Sequence, residues 1–563
     1  MGKYNIIIND LKDMLTKTKD MFAERPAYKI KTAPGEYKVI THGEAHEMID
    51  ALGTALIKLG LKGKRIAVIG ENRYEWGIAY MATVCGTGTI VPLDKALPEN
   101  ELEDLIGRSE VEAICYSAKY EEMVLNIKNK DTNNLKYLIT MDSSNNADVY
   151  SQKELIEKGK KLIAEGNREF LDATINPDEM NIMLFTSGTT STSKVVALSH
   201  KNICSNLMDI QAVLDINEED RVLSFLPMHH VFECTTGLLY SLLVGSQVSY
   251  CDGIRFIMEN LNEYKITFAC FVPAIYENIY KNIVKNLEKA GKLEVIRMLE
   301  EKYKDATLAE KKAVFKDIHN IFGGEVRLFV SGAAALDKEV AQGFRNWGFN
   351  LCQGYGLTET SPVVAVETET EARAGSIGKT LPQVEVKLDN VNDEGIGELL
   401  VKGPNVMLGY YGNDEATNEA IKGEWFYTGD LAKIDEDGFI YICGRKKSVI
   451  VLKNGKNIFP EEMETLINKI DGVKESFVFG KQKSDDIEDI KINAKIIFDR
   501  TIMEEKYNAR TDEEIQKSLF NKIKEINDIM PNYKAIRAII ISEKPLIKTT
   551  TNKIKRQENL KNI

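Results

Sequence analysis

The chain has 563 residues, and its formal net charge is −12 at pH 7. This length exceeds that of an ordinary single domain, so we expect more than one domain and a large core. The excess of acidic residues argues against a nucleic-acid-binding protein, because such proteins usually present a basic surface.

Eight cysteines are scattered along the sequence, and no two of them form a C-x-x-C pair. This spacing argues against a zinc site and a disulfide framework, and it predicts reduced thiols in a cytoplasmic protein. The first residues, MGKYNIIINDLKDML, are amphipathic and mixed in charge, unlike a secretory signal peptide. The longest apolar run, residues 238–248, is too short to span a bilayer, which needs about 20 residues.

Residues 36–60 are predicted to form a strand followed by a helix. Thr41 is the expected N-cap of that helix, and Glu44 is its capping-box partner. His42 and His46 are four residues apart, a spacing that can place two metal ligands on one helix face. Because no third ligand is near in sequence, we expect a solvated first helical turn instead.

Strands and helices alternate through the following region. A strand at residues 65–69 precedes a turn and a helix that begins at about Tyr74. Gly86-Thr87-Gly88 lacks the third glycine of a dinucleotide-binding fingerprint, so we interpret it as a helix-to-strand turn. The alternation continues to about residue 150, which predicts a doubly wound α/β fold.

A hydroxyl-rich segment, residues 186–193, connects two predicted strands and is followed by Lys194. Seven of its eight residues carry a hydroxyl, and the other is Gly188. Small side chains let backbone N–H groups face a phosphate, and the hydroxyls and the lysine add donors. The segment is not a Walker loop, because Ser193 stands where that motif requires a second glycine. A polar surface turn remains the alternative interpretation.

Later segments carry side chains suited to small-molecule chemistry. The segment LPMHHVFE places His229 and His230 at a strand end, where packed histidines are the commoner outcome. Residues 331–336 combine a strand end with small side chains that admit a planar ring. Asp430 follows a glycine, which is typical of a turn. The charged residues 281–320 predict a solvated helical pair.

The last part of the chain predicts a small α+β domain. Strands are expected near residues 475–480, 491–498 and 536–542, and a helix is expected near residues 511–528. In chain order, these segments and the earlier ones resemble the motifs of the adenylate-forming superfamily, which includes acyl-CoA synthetases, amino-acid adenylation domains and luciferases. The segment LPMHHVFE is most similar to long-chain acyl-CoA synthetases.

The superfamily's phosphate loop usually reads TSG-T-T-G-x-P-K-G, followed shortly by LSH. This chain departs from it at Ser191, Ser193 and Val195, where glycine, proline and glycine are usual. Losing two glycines removes backbone freedom, so we expect a stiffer loop than in relatives. The second motif, G-Y-G-x-T-E, is intact from Gly354 to Glu359.

By this resemblance, one set of residues binds ATP and AMP. The set is Thr186, Ser187, Gly188, Thr189, Thr190, Lys194, Gly332, Ala333, Ala334, Gln353, Gly354, Tyr355, Gly356, Asp430, Ile442 and Arg445. Tyr355 is expected to stack on adenine, and Asp430 is expected to accept hydrogen bonds from both ribose hydroxyls. Arg445 is expected to reach the ribose and the phosphate.

The resemblance also implies catalytic residues, which are Lys553, His230, Thr358 and Glu359. Lys553 matches the lysine that is essential for adenylation, although Asn552 precedes it where the superfamily has glycine. His230 is expected to position the acyl carboxylate. Glu359, with Thr186, is expected to hold Mg²⁺.

The resemblance divides the chain into a large AMP-binding domain, residues 1–446, and a small mobile C-terminal domain, residues 447–563, with Lys447 as the hinge. It implies α/β doubly wound sheets with an added β subdomain in the first, and an α+β lid in the second. The implied reaction ligates a medium- to long-chain fatty acid to coenzyme A through acyl-AMP. It consumes ATP and releases pyrophosphate and AMP.

Several alternatives stay open. An acyl-acyl carrier protein synthetase, a fatty acyl-AMP ligase and a nucleotide-binding protein without catalysis each fit the same motifs. An amino-acid adenylating enzyme is disfavoured, because the segment around His230 lacks an aspartate to meet a substrate ammonium. The implied partners are fatty acid, ATP and coenzyme A, without nucleic acid. Peripheral contact with the cytoplasmic membrane face, and a monomeric or homodimeric state, are left open.

Overall fold

The computed structural model describes residues 4–186, 193–452, 456–482, 490–549 and 554–563. Most of the strands belong to three large sheets. In chain order, the strands are β1 Pro26–Ala33, β2 Glu36–Thr41, β3 Lys64–Ile69, β4 Gly88–Pro92, β5 Ala113–Tyr116, β6 Tyr137–Thr140, β7 Val149–Ser151, β8 Met180–Thr186, β9 Lys194–Ser199, β10 Arg221–Ser224, β11 Gln247–Tyr250, β12 Phe268–Phe271, β13 Leu328–Ser331, β14 Leu351–Gly356, β15 Val363–Val366, β16 Lys379–Thr380, β17 Glu385–Asp389, β18 Gly397–Lys402, β19 Gly409–Tyr410, β20 Ile421–Lys422, β21 Trp425–Ile434, β22 Ile440–Arg445, β23 Ile450–Val451, β24 Asn457–Ile458, β25 Val473–Gln482, β26 Ile490–Phe498 and β27 Ala538–Ser542.

The helices, in chain order, are α1 Leu11–Phe22, α2 His42–Lys58, α3 Tyr74–Ala82, α4 Glu99–Arg108, α5 Glu121–Lys128, α6 Gln152–Ala164, α7 His200–Val213, α8 Tyr240–Val244, α9 Ile257–Glu263, α10 Pro273–Lys289, α11 Leu293–Lys302, α12 Leu308–Val314, α13 Lys316–Ile321, α14 Lys338–Asn346, α15 Asp414–Ala420, α16 Pro460–Asn468, α17 Arg500–Tyr507, α18 Asp512–Ile529 and α19 Arg556–Leu560. Short 3-10 or π-helical turns lie at Thr83–Thr87, Ala118–Tyr120, Glu233–Leu239, Ile254–Phe256, Thr358–Thr360, Lys446–Ser448 and Asn532–Lys534. Across the described ranges, no helix combines the length and the apolar character needed to cross a bilayer.

The first large sheet has eight strands in the order β19-β9-β8-β4-β3-β5-β6-β7. From β8 to β7 along this order, neighbouring strands are parallel, as the alternation of strands and helices predicts. Strands β8 and β9 instead form an antiparallel pair in which Thr186 lies opposite Lys194. The two ends of the hydroxyl-rich segment are therefore adjacent at the end of this hairpin.

The second large sheet has nine strands in the order β16-β15-β14-β13-β12-β10-β11-β1-β2. Strands β10 to β14 are parallel to one another, so their carboxyl ends meet at one edge of the sheet. The third sheet is antiparallel and contains β17, β18, β21, β20 and β22. Crevices outside the carboxyl ends of parallel strands are where α/β proteins usually bind ligands.

The C-terminal region has its own sheet, β25-β26-β27, and its own apolar cluster, which includes Ile467, Ile496 and Leu519. The predicted strands and the predicted helix of this region are confirmed, whereas α17 was not predicted. The predicted fold class is also confirmed, with a large α/β domain, an added β sheet and a separate α+β domain. The exact boundary between residues 446 and 447 stays a prediction.

The start of α2 combines a correct and a wrong prediction. Thr41 accepts a hydrogen bond from the Glu44 N–H, and the Glu44 carboxylate accepts one from the Thr41 N–H, so the capping box is confirmed. The expected solvated first turn is wrong, because His42 is buried and its ring lies 6.2 Å from that of Phe22. The cause is α1, whose apolar face covers this end of α2.

The solvated helical pair expected from residues 281–320 is also wrong. The segment contains the end of α10, all of α11 and α12, and most of α13. Phe315 and Ile318 are buried in an apolar cluster with Phe329 and Phe344. Most of the charges lie on the outer faces of these helices, although Glu300 and Lys311 are buried. Composition alone does not reveal the inner faces.

His200, at the start of α7, provides a pH-dependent stabilising contact. Its Nδ1 accepts a hydrogen bond from the Leu11 N–H at 3.1 Å, and its Nε2 lies 3.1 Å from the Val84 carbonyl oxygen. The neutral tautomer that carries its proton on Nε2 satisfies both contacts. Burial lowers the pKa of His200 from 6.5 to about 4.

We therefore expect acidification to destabilise the fold. Between pH 6.5 and about 4, the unfolded chain binds a proton at His200 that the folded chain does not. At pH 5 this single group costs about 2 kcal/mol of unfolding free energy relative to pH 7. Thermal unfolding of wild type and of His200→Gln at both pH values measures the effect. The variant should be less stable at pH 7 and should lose less stability on acidification; an unchanged loss contradicts the assignment.

Candidate active site

The candidate phosphate loop is the hydroxyl-rich segment 186–193, and the structure describes only its two ends. Ser187, Gly188, Thr189 and Thr190 lie outside the described residues, together with Ser191. Thr186 ends β8 and pairs with Lys194, the first residue of β9. The Lys194 Nζ lies 4.3 Å from the centre of the Tyr410 ring.

Two of the departures from the usual loop sequence lie among the described residues. The Ser193 carbonyl accepts a hydrogen bond from Arg108 Nη1 at 2.9 Å, which ties the end of the loop to α4. Val195 is 4% exposed and pairs with Phe185 inside the sheet. Val195 is therefore a packed strand residue, whereas the effect of the lost glycines on loop stiffness stays a prediction.

Glu359 lies in the 3-10 turn Thr358–Thr360, directly after β14. Its Oε1 accepts a hydrogen bond from the Tyr410 hydroxyl at 2.9 Å, and its backbone carbonyl accepts one from the Met407 N–H at 2.8 Å. Tyr410 thus contacts both Glu359 and Lys194. Tyr410 was not predicted from the sequence, where the only local signal is an aromatic pair, Tyr410-Tyr411, after a glycine.

Glu359 has the properties of a Mg²⁺ ligand. It is half-buried, and among the described residues its carboxylate forms no ion pair with a lysine or arginine. Mg²⁺ takes oxygen ligands and usually keeps several waters, so one carboxylate and one hydroxyl are a sufficient protein contribution. Thr186, which pairs with Lys194, is the predicted source of that hydroxyl, and the metal role of Thr186 and of Glu359 stays a prediction.

Asp430 lies within β21 rather than in a turn. It is 4% exposed, and its Oδ2 accepts a hydrogen bond from the Tyr355 hydroxyl at 2.5 Å. Its Oδ1 lies 2.8 Å from Arg445 Nε, across the β21–β22 register. Arg445 Nη1 also donates to the Thr428 carbonyl at 3.3 Å. The structure therefore brings together three residues that were predicted to bind the nucleotide: Tyr355, Asp430 and Arg445.

Gly356, which follows Tyr355, has a steric role. A Cβ at Gly356 would lie 1.8 Å from the Pro362 carbonyl oxygen, so a larger residue does not fit. Gln353, at the start of this segment, is buried and donates its backbone N–H to Glu367 at 2.9 Å. These contacts fix the backbone that presents Tyr355. Ile442 lies in β22, next to the strand β21 that carries Asp430, and it pairs there with Ala432.

The small residues after β13 link the nucleotide candidates to the LPMHHVFE segment. A Cβ at Gly332 would lie 2.9 Å from the Phe232 ring, so that ring packs directly on the glycine. Ala333 has φ +72°, in the left-handed region, whereas Ala334 is not among the residues with positive φ. A left-handed backbone costs an L-residue about 1–2 kcal/mol, so Ala333 is strained.

We expect Ala333→Gly to stabilise the folded protein by about 1 kcal/mol, because glycine adopts this backbone without a Cβ clash. The matched control is Ala334→Gly, which should be neutral or destabilising because glycine only adds freedom to the unfolded chain. Thermal unfolding midpoints of the two variants measure the difference. A lower midpoint in both variants would show that the strain is not relieved at position 333.

The two histidines of the LPMHHVFE segment are neighbours in space. Their ring centres lie 4.2 Å apart, and the His229 Nε2 lies 3.5 Å from Asp94 Oδ1. The side chain of His229 is 8% exposed, so packing is the appropriate interpretation of this histidine. His230 is half-buried.

Glu233 supports this segment from inside the fold. Its carboxyl group is buried and accepts a hydrogen bond from the Ser224 hydroxyl at 2.6 Å. The Asn72 amide donates to that same hydroxyl at 2.9 Å and to the Leu226 carbonyl at 2.7 Å. Burial raises the pKa of Glu233 to about 8. This network anchors both ends of the segment that carries His230.

The two lysines that follow β22 differ in their ion pairs. Lys446 Nζ lies 2.6 Å from Glu398 Oε2, whereas Lys447 forms no ion pair with any described residue. Further along, Lys469 lies 2.9 Å from Asp337 and connects the C-terminal domain to the start of α14. Lys553 lies outside the described residues.

The chain is similar to known proteins over most of its length. A family profile described as AMP-binding enzyme matches residues 15–411, and one described as AMP-binding enzyme C-terminal domain matches residues 447–562. The chain is 28% identical over 486 residues to long-chain-fatty-acid–CoA ligase 1 of Cavia porcellus, covering 79% of this chain and 68% of that protein. It is 29% identical over 478 residues to the peroxisomal long chain acyl-CoA synthetase 6 of Arabidopsis thaliana, covering 79% and 67%.

Solved structures share the fold. The chain superposes on the anthranilate CoA ligase AuaEII, solved in complex with anthranoyl-AMP, with a TM-score of 0.77 and 20% sequence identity. The superposition covers 98% of this chain and 97% of that one. At this level of identity the likeness concerns the fold alone.

Proposed function

Because the chain belongs to the AMP-binding enzyme family, we propose that it is an ATP-dependent ligase that joins a medium- to long-chain fatty acid to coenzyme A. The acid carboxylate attacks the α-phosphate of ATP, pyrophosphate leaves, and acyl-AMP is formed. The thiolate of coenzyme A then attacks the acyl carbon, and AMP leaves. The named activities of the curated relatives support the fatty acid and the thiol as substrates.

The observation that carries this proposal is the arrangement around Asp430. Its buried carboxylate already accepts from Tyr355 and contacts Arg445, so it is held ready for hydroxyl donors. A ribose diol offers two such donors to one carboxylate. We expect the Tyr355 ring to stack on adenine, and we expect Arg445, which is partly exposed, to reach the phosphate.

The first half-reaction must bring two anions together. Lys194 and Lys553 lower that cost by neutralising charge on the phosphates. Glu359 and Thr186 would hold Mg²⁺, which supplies further positive charge to the phosphate oxygens. Thr358 lies beside Glu359 in the same turn. His230 orients the carboxylate on the side of the site lined by Phe232 and Gly332.

The second half-reaction requires the same acyl carbon to meet coenzyme A. We assign residues 447–563 to a small domain that rotates between the two half-reactions, with Lys447 as the pivot. The support is the contrast between Lys446, which is paired with Glu398, and Lys447, which forms no ion pair with the described residues. We place the enzyme in the cytoplasm, with a peripheral membrane contact for its acyl substrate, as a monomer or homodimer.

The decisive experiment measures pyrophosphate and AMP formation with a panel of acids from acetate to long-chain fatty acids. We expect fatty-acid-dependent pyrophosphate release, and AMP and acyl-CoA when coenzyme A is present. Pyrophosphate release without a coenzyme A product would favour a fatty acyl-AMP ligase or transfer to a carrier protein. Binding of ATP without any acid-dependent pyrophosphate release would refute the ligase proposal.

A further inference from the structure

Tyr410 lies at the junction of the two regions that would handle the phosphates. Its short strand β19 pairs antiparallel with β9, immediately after the phosphate-loop candidate, with Tyr410 opposite Val196. The Tyr411 N–H donates to the Val195 carbonyl at 2.8 Å, and the Leu408 N–H donates to the Ala197 carbonyl at 3.0 Å. The backbone of Tyr410 is therefore fixed on both sides.

The side chain of Tyr410 makes a different contact with each of two charged groups. Its hydroxyl donates a hydrogen bond to Glu359 Oε1 at 2.9 Å. The Lys194 ammonium lies over its ring, 4.3 Å from the ring centre. Tyr410 is only 7% exposed, whereas Lys194 and Glu359 are half-buried. A carboxylate and an ammonium that both contact one side chain would attract each other. Nevertheless, these two described residues form no ion pair with each other.

We propose that Tyr410 is a positioning residue that keeps Lys194 and Glu359 apart, so that Lys194 stays available to the triphosphate and Glu359 to Mg²⁺. This inference rests on the proposed function, because it assigns the two charged groups to ATP and its metal. The ring holds the ammonium by cation–π attraction, and the hydroxyl orients one carboxylate oxygen. Because this hydrogen bond holds one oxygen of the Glu359 carboxylate, it also fixes the orientation of the other oxygen.

The Tyr410 hydroxyl is a neutral hydrogen-bond donor to Glu359. A neutral donor orients the carboxylate without cancelling its charge, whereas a lysine or arginine in this place would compete with the metal. The chemistry of tyrosine therefore matches the role better than that of a cationic residue.

Two variants separate the hydroxyl from the ring. Tyr410→Phe keeps the ring, and we expect it to raise the Mg²⁺ concentration for half-maximal ATP binding about tenfold, because Glu359 loses an orienting hydrogen bond. ATP binding in EDTA should stay unchanged in this variant. Tyr410→Leu loses the ring as well, and it should also weaken ATP binding in EDTA about threefold or more, because Lys194 is released toward Glu359. Calorimetric titration with ATP measures both effects.

The control is Tyr411→Phe, which removes a neighbouring hydroxyl that contacts Arg65 instead. It should bind ATP like wild type at every Mg²⁺ concentration. If Tyr410→Phe behaves like Tyr411→Phe, the positioning role is wrong. In a double-mutant cycle, Tyr410→Phe combined with Glu359→Gln should have less than the additive effect on Mg²⁺ dependence. Additive effects would also overturn the inference.

These binding measurements do not depend on turnover. If the Tyr410 variants shift the Mg²⁺ dependence of ATP binding as expected but wild type releases no pyrophosphate with any acid, the proposed function fails and the role of Tyr410 stands. If pyrophosphate is released and the Tyr410 variants bind ATP like wild type, the proposed function stands and the role of Tyr410 fails.

Discussion

Asp430→Ala is expected to lower kcat/KM for ATP about a hundredfold, with a higher KM and a lower turnover. The reason is the loss of two hydrogen bonds from the ribose hydroxyls to a buried carboxylate, each of which contributes about 1.5–3 kcal/mol. The protein should stay folded, because Arg445 is partly exposed and water can solvate it once its partner is removed. Initial rates of pyrophosphate release over a range of ATP concentrations measure the effect.

The matched control for that variant is Asp437→Ala in the hairpin that follows. Asp437 is exposed and contacts Arg373 at the surface, so its removal should leave the ATP kinetics unchanged. A folded Asp430→Ala protein with wild-type ATP kinetics would show that Asp430 only supports β21. Near-ultraviolet circular dichroism of both variants establishes that they are folded.

The elements that the sequence could predict are those whose signals are local. The alternation of strands and helices gave the parallel part of the first sheet, because crossover connections leave a repeating pattern in the chain. The Thr41–Glu44 capping box was predictable for the same reason, since both partners lie within four residues. Motifs such as the one around Asp430 were identified by resemblance. The structure shows which residues of these motifs contact one another.

The features that could not be predicted depend on partners far away in sequence. His42 is buried because Phe22 on α1 covers it, and two histidines at helical spacing carry no sign of that cover. Phe315 and Ile318 are buried by strands and helices of the second sheet, although their own segment is highly charged. Tyr410 contacts Glu359 from 51 residues away and belongs to no motif that was considered.

Neighbours of Lys553 are well anchored, although Lys553 itself lies outside the described residues. Arg556 Nη2 lies 2.7 Å from Glu464, and Ile554 forms an isolated β-bridge with Lys548. These contacts attach the end of the chain to the C-terminal domain on both sides of the lysine. A substitution at position 553 should therefore leave the fold of this domain intact.

Lys553→Ala is expected to reduce acyl-AMP formation by more than about a hundredfold, because it removes a positive charge that stabilises the transition state. Conversion of supplied acyl-AMP to acyl-CoA should persist, since that step needs no new charge neutralisation at the phosphates. The two half-reactions are measured separately, as pyrophosphate release from ATP and as thioester formation from acyl-AMP. Lys548→Ala is the control, because that lysine lies in the same segment and pairs with Glu475. It should retain both half-reactions. Equal loss of both half-reactions in Lys553→Ala would show that the lysine serves the fold or substrate binding in general, and the assignment to adenylation would then be wrong.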